Sequence, residues 1–178
     1  MHSSSKITVL ELGSGCGIAG IAVAQLRPRC QVYLTDLAEA MDVLRTNIAK
    51  SVPAVGTGVS QVILDWEEDL PVEIRRATFD LVLVSDCTYN IDYVPALVRT
   101  LSAIADISPN TLILISLKFR HPSEVILFEL LDAAQFSETC HVTIPLPDPA
   151  RDTMGQAQEA VEIYQYQRTR KIHKFPRD

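Results

Sequence analysis

Several things are scarce in this sequence. Its four cysteines, Cys16, Cys30, Cys87 and Cys140, stand far apart with no C-x-x-C spacing. That excludes the common zinc frameworks, leaves no metal site to expect, and predicts reduced core thiols in an intracellular protein. No apolar run reaches the ~18 residues of a membrane span. The opening Met1-His2-Ser3-Ser4-Ser5-Lys6 has no apolar segment of the signal-peptide kind. The cytoplasm is the expected location, with the nucleus also open, and no membrane partner is expected. Basic side chains are in deficit: 16 Lys and Arg stand against 22 Asp and Glu, for a net charge of −6. Nucleic acid is therefore not expected as the main partner. Trp66 is the only tryptophan, so where it falls carries information.

What is present is an ordinary globular composition. With 178 residues, 47% of them hydrophobic and 21% charged, one domain with a self-sufficient core is expected, and a monomer is the default. Residues 1–6 read as a disordered or tag-like lead, 7–167 as the domain, and 168–178 as a basic tail carrying Arg168, Arg170, Lys171, Lys174 and Arg177 against Asp178.

The stretch that organises the rest is Val9-Leu10-Glu11-Leu12-Gly13-Ser14-Gly15-Cys16-Gly17-Ile18-Ala19-Gly20. It reads as a buried strand over 7–12, a glycine loop, and a helix over 17–27 that Pro28 stops. Glycines at every second position let the chain turn sharply and let a ligand approach bare backbone. The helix start presents free N–H groups to it.

Further strand patterns follow at 31–35, 61–64, 79–84 and 111–117. Helices are expected after 36, with Leu37, Met41, Leu44 and Ile48 on one face, over 93–107, and from Pro122 to about Ala134 with Val125, Ile126, Leu130 and Leu131 inward. Residues 136–144 and 161–167 read as a closing antiparallel pair joined by a long loop from Pro145 to Ala160. The alternation of strand and helix predicts an α/β fold: a doubly wound, Rossmann-like, mostly parallel sheet with a C-terminal antiparallel hairpin.

Ligands of such sheets lie beyond the carboxyl ends of the strands. Those ends read Glu11-Leu12-Gly13-Ser14-Gly15, Asp36, Asp65-Trp66, Ser85-Asp86 with Tyr89, and Lys118-Phe119-Arg120-His121. Asp36 falls where an acid can accept both ribose hydroxyls, or simply cap a helix. Asp65 and Trp66 can hold an adenine by hydrogen bond and ring contact. A dinucleotide fingerprint G-x-G-x-x-G needs glycine at position 18, which is isoleucine. The order Glu11-x-Gly13-x-Gly15-x-Gly17 points elsewhere.

That order resembles the first motif of the seven-β-strand S-adenosylmethionine-dependent methyltransferases. Leu34-Thr35-Asp36-Leu37, Leu64-Asp65-Trp66, Val84-Ser85-Asp86-Cys87-Thr88-Tyr89 and Glu162-Ile163-Tyr164 are similar to one branch: small protein-lysine methyltransferases with a D-x-x-Y motif. The resemblance covers about residues 7–167. It implies S-adenosylmethionine as cofactor, S-adenosylhomocysteine as product, and a protein substrate such as a chaperone or elongation factor.

The resemblance also implies that Glu11, Gly13, Ser14, Gly15, Asp36, Asp65, Trp66 and Ser85 form the cofactor side. Among these, Gly13, Ser14 and Gly15 would meet the methionine part and Ser85 would lie beside the cofactor. Asp86 and Tyr89 would shape the channel where the acceptor amine arrives. A lysine amine must be neutral to attack, and the nearby sulfonium lowers its pKa by like-charge repulsion. Asp86 can align that amine or accept its proton; Tyr89 can exclude water. Branch members carry a covering segment ahead of the first strand. Here six residues precede Ile7, so the expectation is either a chain shortened at its start or a site more open than the branch usually has. A small-molecule amine acceptor and a catalytically silent binding module are the rival readings.

Overall fold

The structure is a computed structural model that describes residues 6–146 and 160–169. Seven strands form one sheet: β1 (Ile7–Leu12), β2 (Cys30–Asp36), β3 (Gly58–Ile63), β4 (Leu81–Ser85), β5 (Leu112–Leu117), β6 (Phe136–Pro145) and β7 (Ala160–Arg168). Their spatial order is β3-β2-β1-β4-β5-β7-β6. The first five are parallel, and β7 runs antiparallel between β5 and β6. The order reverses at β1, whose neighbours are β2 and β4, and a sheet of this kind opens its ligand crevice there.

The central strands β1, β4 and β5 are apolar on both faces because both faces are covered. On one face, Leu10, Leu12, Val82, Val84, Ile113, Ile115 and Leu117 pack against α4 (Val94–Ile107) and α5 (Ile126–Ala133). On the other, Val9, Val32 and Leu83 meet α1 (Ile18–Leu26) and α2 (Met41–Lys50). α4 begins with Pro95 in its first turn, where the missing N–H costs nothing. Its expected stripe of Val94, Leu97, Val98, Leu101 and Ile104 is buried throughout. Each such side chain is worth roughly 1.5–3 kcal/mol of burial.

Some sequence expectations shift. α5 turns Leu127 and Leu131 inward, while Val125 and Ile126 are exposed. The cause is a 3₁₀ turn over Pro122–Val125, whose three residues per turn advance the phase before the α-helix begins. A second 3₁₀ turn, Ala38–Ala40, precedes α2 and takes Leu37 out of the helical stripe. Short helix α3 (Val72–Arg75) follows Pro71. Cys30 and Cys87 are core thiols, but Cys16 and Cys140 are exposed, one in the glycine loop and one on edge strand β6. Arg168 belongs to β7 rather than to a tail: its guanidinium donates to Ser102 O and Asp106 Oδ1. Most of the expected Pro145–Ala160 loop and residues 170–178 of the basic tail lie outside the described residues. No described helix is long and apolar enough to cross a membrane.

Candidate active site

The glycine loop leaves β1 through positive φ at Gly13, Gly15 and Gly17, a region L side chains enter only with strain. Gly13 is also pinned for space: a Cβ there would stand 2.8 Å from Cys87 Sγ and 3.1 Å from the Trp66 ring. Two polar side chains hold the loop from below. Glu11 is 2% exposed and accepts the Gly20 N–H at 3.0 Å, bonding the end of β1 to α1. Burial pushes its carboxyl up to about 7, with the Gly20 N–H partly offsetting that rise. Ser14, also buried, donates to Glu11 O and accepts from Thr35 N, stitching the loop to β2.

Above this base lies an open cavity of about 700 Å³ lined by Gly13, Gly15, Asp36, Leu37, Ala40, Leu64, Asp65, Trp66, Glu67, Asp86, Cys87, Tyr89 and Tyr93. That volume is in the range of small-molecule sites. Asp36 Oδ2 accepts the Gly15 N–H at 2.6 Å and Oδ1 accepts the Leu37 N–H at 2.7 Å. A carboxylate has about four acceptor positions, so two remain for a ligand's hydroxyls. Asp65 Oδ1 accepts the Glu67 N–H at 2.9 Å and shapes the turn that carries Trp66 to the wall.

The loop after β4 is fixed almost residue by residue. Ser85 Oγ accepts from Ser116 Oγ, and Asp86 N donates to Ser116 O at 2.8 Å. Asp86 sits at φ 56, a conformation aspartate tolerates better than most residues. The Cys87 thiol donates to Leu12 O, and burial pushes it up to about 12, so it lines the cavity as a neutral group. Thr88 Oγ1 donates to Glu124 Oε2 at 2.9 Å. Tyr89 is 78% exposed at the mouth, near half-exposed Tyr93.

Of the residues expected from sequence, Gly13, Gly15, Asp36, Asp65, Trp66, Asp86 and Tyr89 come together around one cavity. Glu11, Ser14 and Ser85 are not among its lining residues; they hold the loops from behind. The sequence pattern placed Arg120 only within the strand-end cluster Lys118-Phe119-Arg120-His121, with no partner, and did not single out Glu124. Arg120 forms a two-pronged ion pair with Asp86. Glu124 is 2% exposed and braces that neighbourhood. The visible trace of the latter was His121-Pro122-Ser123-Glu124, which the structure shows to be a capping box.

The sheet order, the antiparallel β7 and a cavity over the first glycine loop define the class: this is the seven-strand fold of S-adenosylmethionine-dependent methyltransferases. A solved methyltransferase of Methanosarcina mazei superposes with a TM-score of 0.66 over 93% of this chain and 94% of its own, at 12% identity. Within that class the chain belongs to the lysine methyltransferase family, whose pattern matches residues 1–134. It is 38% identical over 118 residues to a UPF0665 family protein of Schizosaccharomyces pombe, covering 66% of this chain and 35% of that protein. It is 33% identical over 114 residues to protein N-lysine methyltransferase METTL21A of Danio rerio, covering 64% and 50%. The chain thus spans about half or less of the length of these relatives.

Proposed function

We propose that this chain transfers a methyl group from S-adenosylmethionine to a lysine side chain of a protein. The observation that carries the reading is the joining of two groups of residues in one cavity. Gly13, Gly15, Asp36, Asp65 and Trp66 line it together with Asp86 and Tyr89. The name of the Danio rerio relative supplies the protein-lysine acceptor.

The residues fit the cofactor. Gly13 presents bare backbone where any Cβ would meet Trp66 and Cys87. Asp36 has acceptor capacity left for a ribose diol, and Trp66 offers a ring face for an adenine. Bound there, S-adenosylmethionine supplies a methyl group on a positively charged sulfur and leaves as S-adenosylhomocysteine. Asp86 presents an anion to the incoming ammonium and directs its nitrogen once the proton has gone to water. Tyr89 closes water out and limits the directions of approach. Positioning of this kind accounts for most of the rate advantage in a displacement between two bound groups.

The acceptor class we assign is a chaperone or an elongation factor, modified by a monomer in the cytoplasm or nucleus. The resemblance of the D-x-x-Y segment to the lysine-directed branch supports the lysine acceptor in this reading. Incubating the protein with cell extract and methyl-labelled cofactor tests it: label is expected in one or a few protein bands, on lysine. Label confined to small molecules would favour the amine reading. Cofactor binding without any transfer would favour a silent binding module.

A further inference from the structure

The pair that ends β4 and β5 carries information beyond the motif. Arg120 Nη1 donates to Asp86 Oδ1 at 2.5 Å and Nη2 donates to Asp86 Oδ2 at 2.8 Å. This parallel, fork-to-fork geometry fixes a carboxylate in plane as well as in place. The pair is half exposed, with side chains 47% and 53% accessible. Solvent-exposed pairs of this sort usually contribute little to stability. Its surroundings argue that holding the fold together is not its use.

Arg120 and the loop that carries Asp86 are anchored to the same buried acid. Glu124 Oε1 accepts the backbone N–H of Arg120 at 2.9 Å and of His121 at 3.0 Å. Glu124 Oε2 accepts from Thr88, two residues beyond Asp86. One carboxylate, 2% exposed, therefore ties the loop after β4 to the loop after β5. Asp86 is further held by its N–H bond to Ser116 O and its left-handed backbone. The main chains of both partners are fixed before their side chains meet. The ordering cost that weakens most surface pairs has largely been met by the fold.

Asp86 lines the cavity and Arg120 does not. The guanidinium thus grips the carboxylate from outside the cavity wall. Each carboxylate oxygen has two acceptor positions, and the fork uses one on each; the two that remain diverge, so one of them is left for an incoming amine.

We propose that Arg120 is a positioning residue for Asp86: it locks the carboxylate plane so that one of the remaining acceptor positions is directed at the acceptor nitrogen, with Glu124 holding Arg120 in register. This rests on the methyl-transfer reading of Asp86 given above. The alternative use of the same pair is a latch, in which Arg120 competes with the substrate lysine for Asp86 and must be displaced. The two make opposite predictions.

The test compares wild type with Arg120→Ala, Arg120→Lys and Asp86→Ala, using methyl-labelled cofactor and graded amounts of cell extract as acceptor. Positioning predicts that Arg120→Ala lowers the maximal rate about tenfold to hundredfold, the scale expected for a misdirected group. Cofactor affinity by calorimetry and the half-saturating extract concentration should change less than about threefold on the same argument. Arg120→Lys, which keeps the charge but not the fork, should recover only part of the rate. Guanidinium ion at tens of millimolar should restore Arg120→Ala, and no structural defect of the loop would respond that way. An unchanged rate, or a raised rate with lower half-saturation, overturns the proposal; the second outcome makes Arg120 a latch.

Asp86→Ala with wild-type rate would instead overturn the reading of Asp86 itself. A nuclear magnetic resonance readout stands apart from activity. The Arg120 guanidinium hydrogens should give separate, slowly exchanging signals in wild type and averaged ones in Asp86→Ala. Averaged signals in wild type would show that the fork is not held.

Discussion

Asp36 Oδ2 accepts the backbone N–H of Gly15 at 2.6 Å, so the acid of the second strand closes the glycine loop of the first. In the proposed reading one carboxylate serves both the loop's shape and the ligand's hydroxyls. Replacing it separates those uses. Asp36→Asn retains an oxygen for Gly15 but loses the charge. We expect a fall in cofactor affinity of roughly tenfold to hundredfold, the equivalent of one or two charge-assisted hydrogen bonds. Asp36→Ala should lose that affinity and about 1 kcal/mol of stability as well, because Leu37 N also loses its acceptor. Calorimetry with S-adenosylhomocysteine and urea unfolding measure the two effects.

Glu11 gives a pH signature. Its folded-state carboxyl is pushed up to about 7 from 4.5, so the folded protein holds that proton more tightly than the unfolded chain. The stability this contributes is complete below about 4.5 and is lost as pH rises through about 7, up to about 3 kcal/mol in all. Glu11→Gln keeps an acceptor for Gly20 N and removes the titration. The variant should be more stable than wild type at pH 8 and close to it at pH 4.5. Equal urea midpoints at pH 8 would remove Glu11 from this role.

Gly13 and Gly15 share a left-handed backbone but differ in surroundings. An added Cβ meets Cys87 and Trp66 at Gly13, and nothing within 4 Å at Gly15. Gly15→Ala should therefore cost about 1–2 kcal/mol of backbone strain alone. Gly13→Ala should add an overpacking cost of about 1–3 kcal/mol and displace the Trp66 ring. Thermal unfolding and Trp66 fluorescence together rank the two variants; identical behaviour would contradict the contact geometry.

Thiol chemistry should divide the cysteines in two. Cys16 and Cys140 are exposed, while Cys30 and Cys87 are buried with burial raising both thiols. An aromatic disulfide reagent at pH 8 should modify two thiols quickly in the native protein, and the other two only after denaturant. Fast modification of Cys87 would mean that the wall between Leu12 and the cavity opens.

Much of this could be read before any coordinates. Strand β1, the glycine loop and Asp36 are legible because local sequence dictates them: β-branched residues, left-handed glycines, and an acid at a strand end. The α4 stripe is legible because its 3.6-residue period is clean. The phase of α5 was not, since a 3₁₀ turn leaves no mark in a hydrophobic pattern. The pairing of Arg120 and the role of Glu124 were hidden for another reason. The two residues lie 34 residues from Asp86 and 36 from Thr88 in the chain, and only the pairing of β4 with β5 brings them there. The backing roles of Glu11, Ser14 and Ser85 likewise depend on which side of the loop faces the cavity.

The sheet order has a consequence for biosynthesis. β6 leaves the ribosome before β7, yet its sole strand neighbour in the sheet is β7, which also covers the edge of β5. Until residue 160 and its successors emerge, β5 offers an open row of backbone donors and acceptors, and β6 has nothing to pair with. Among the described residues the last strand to be made is thus the one that seals the sheet, so a nascent chain halted before it would present an adhesive edge next to a nearly complete cavity.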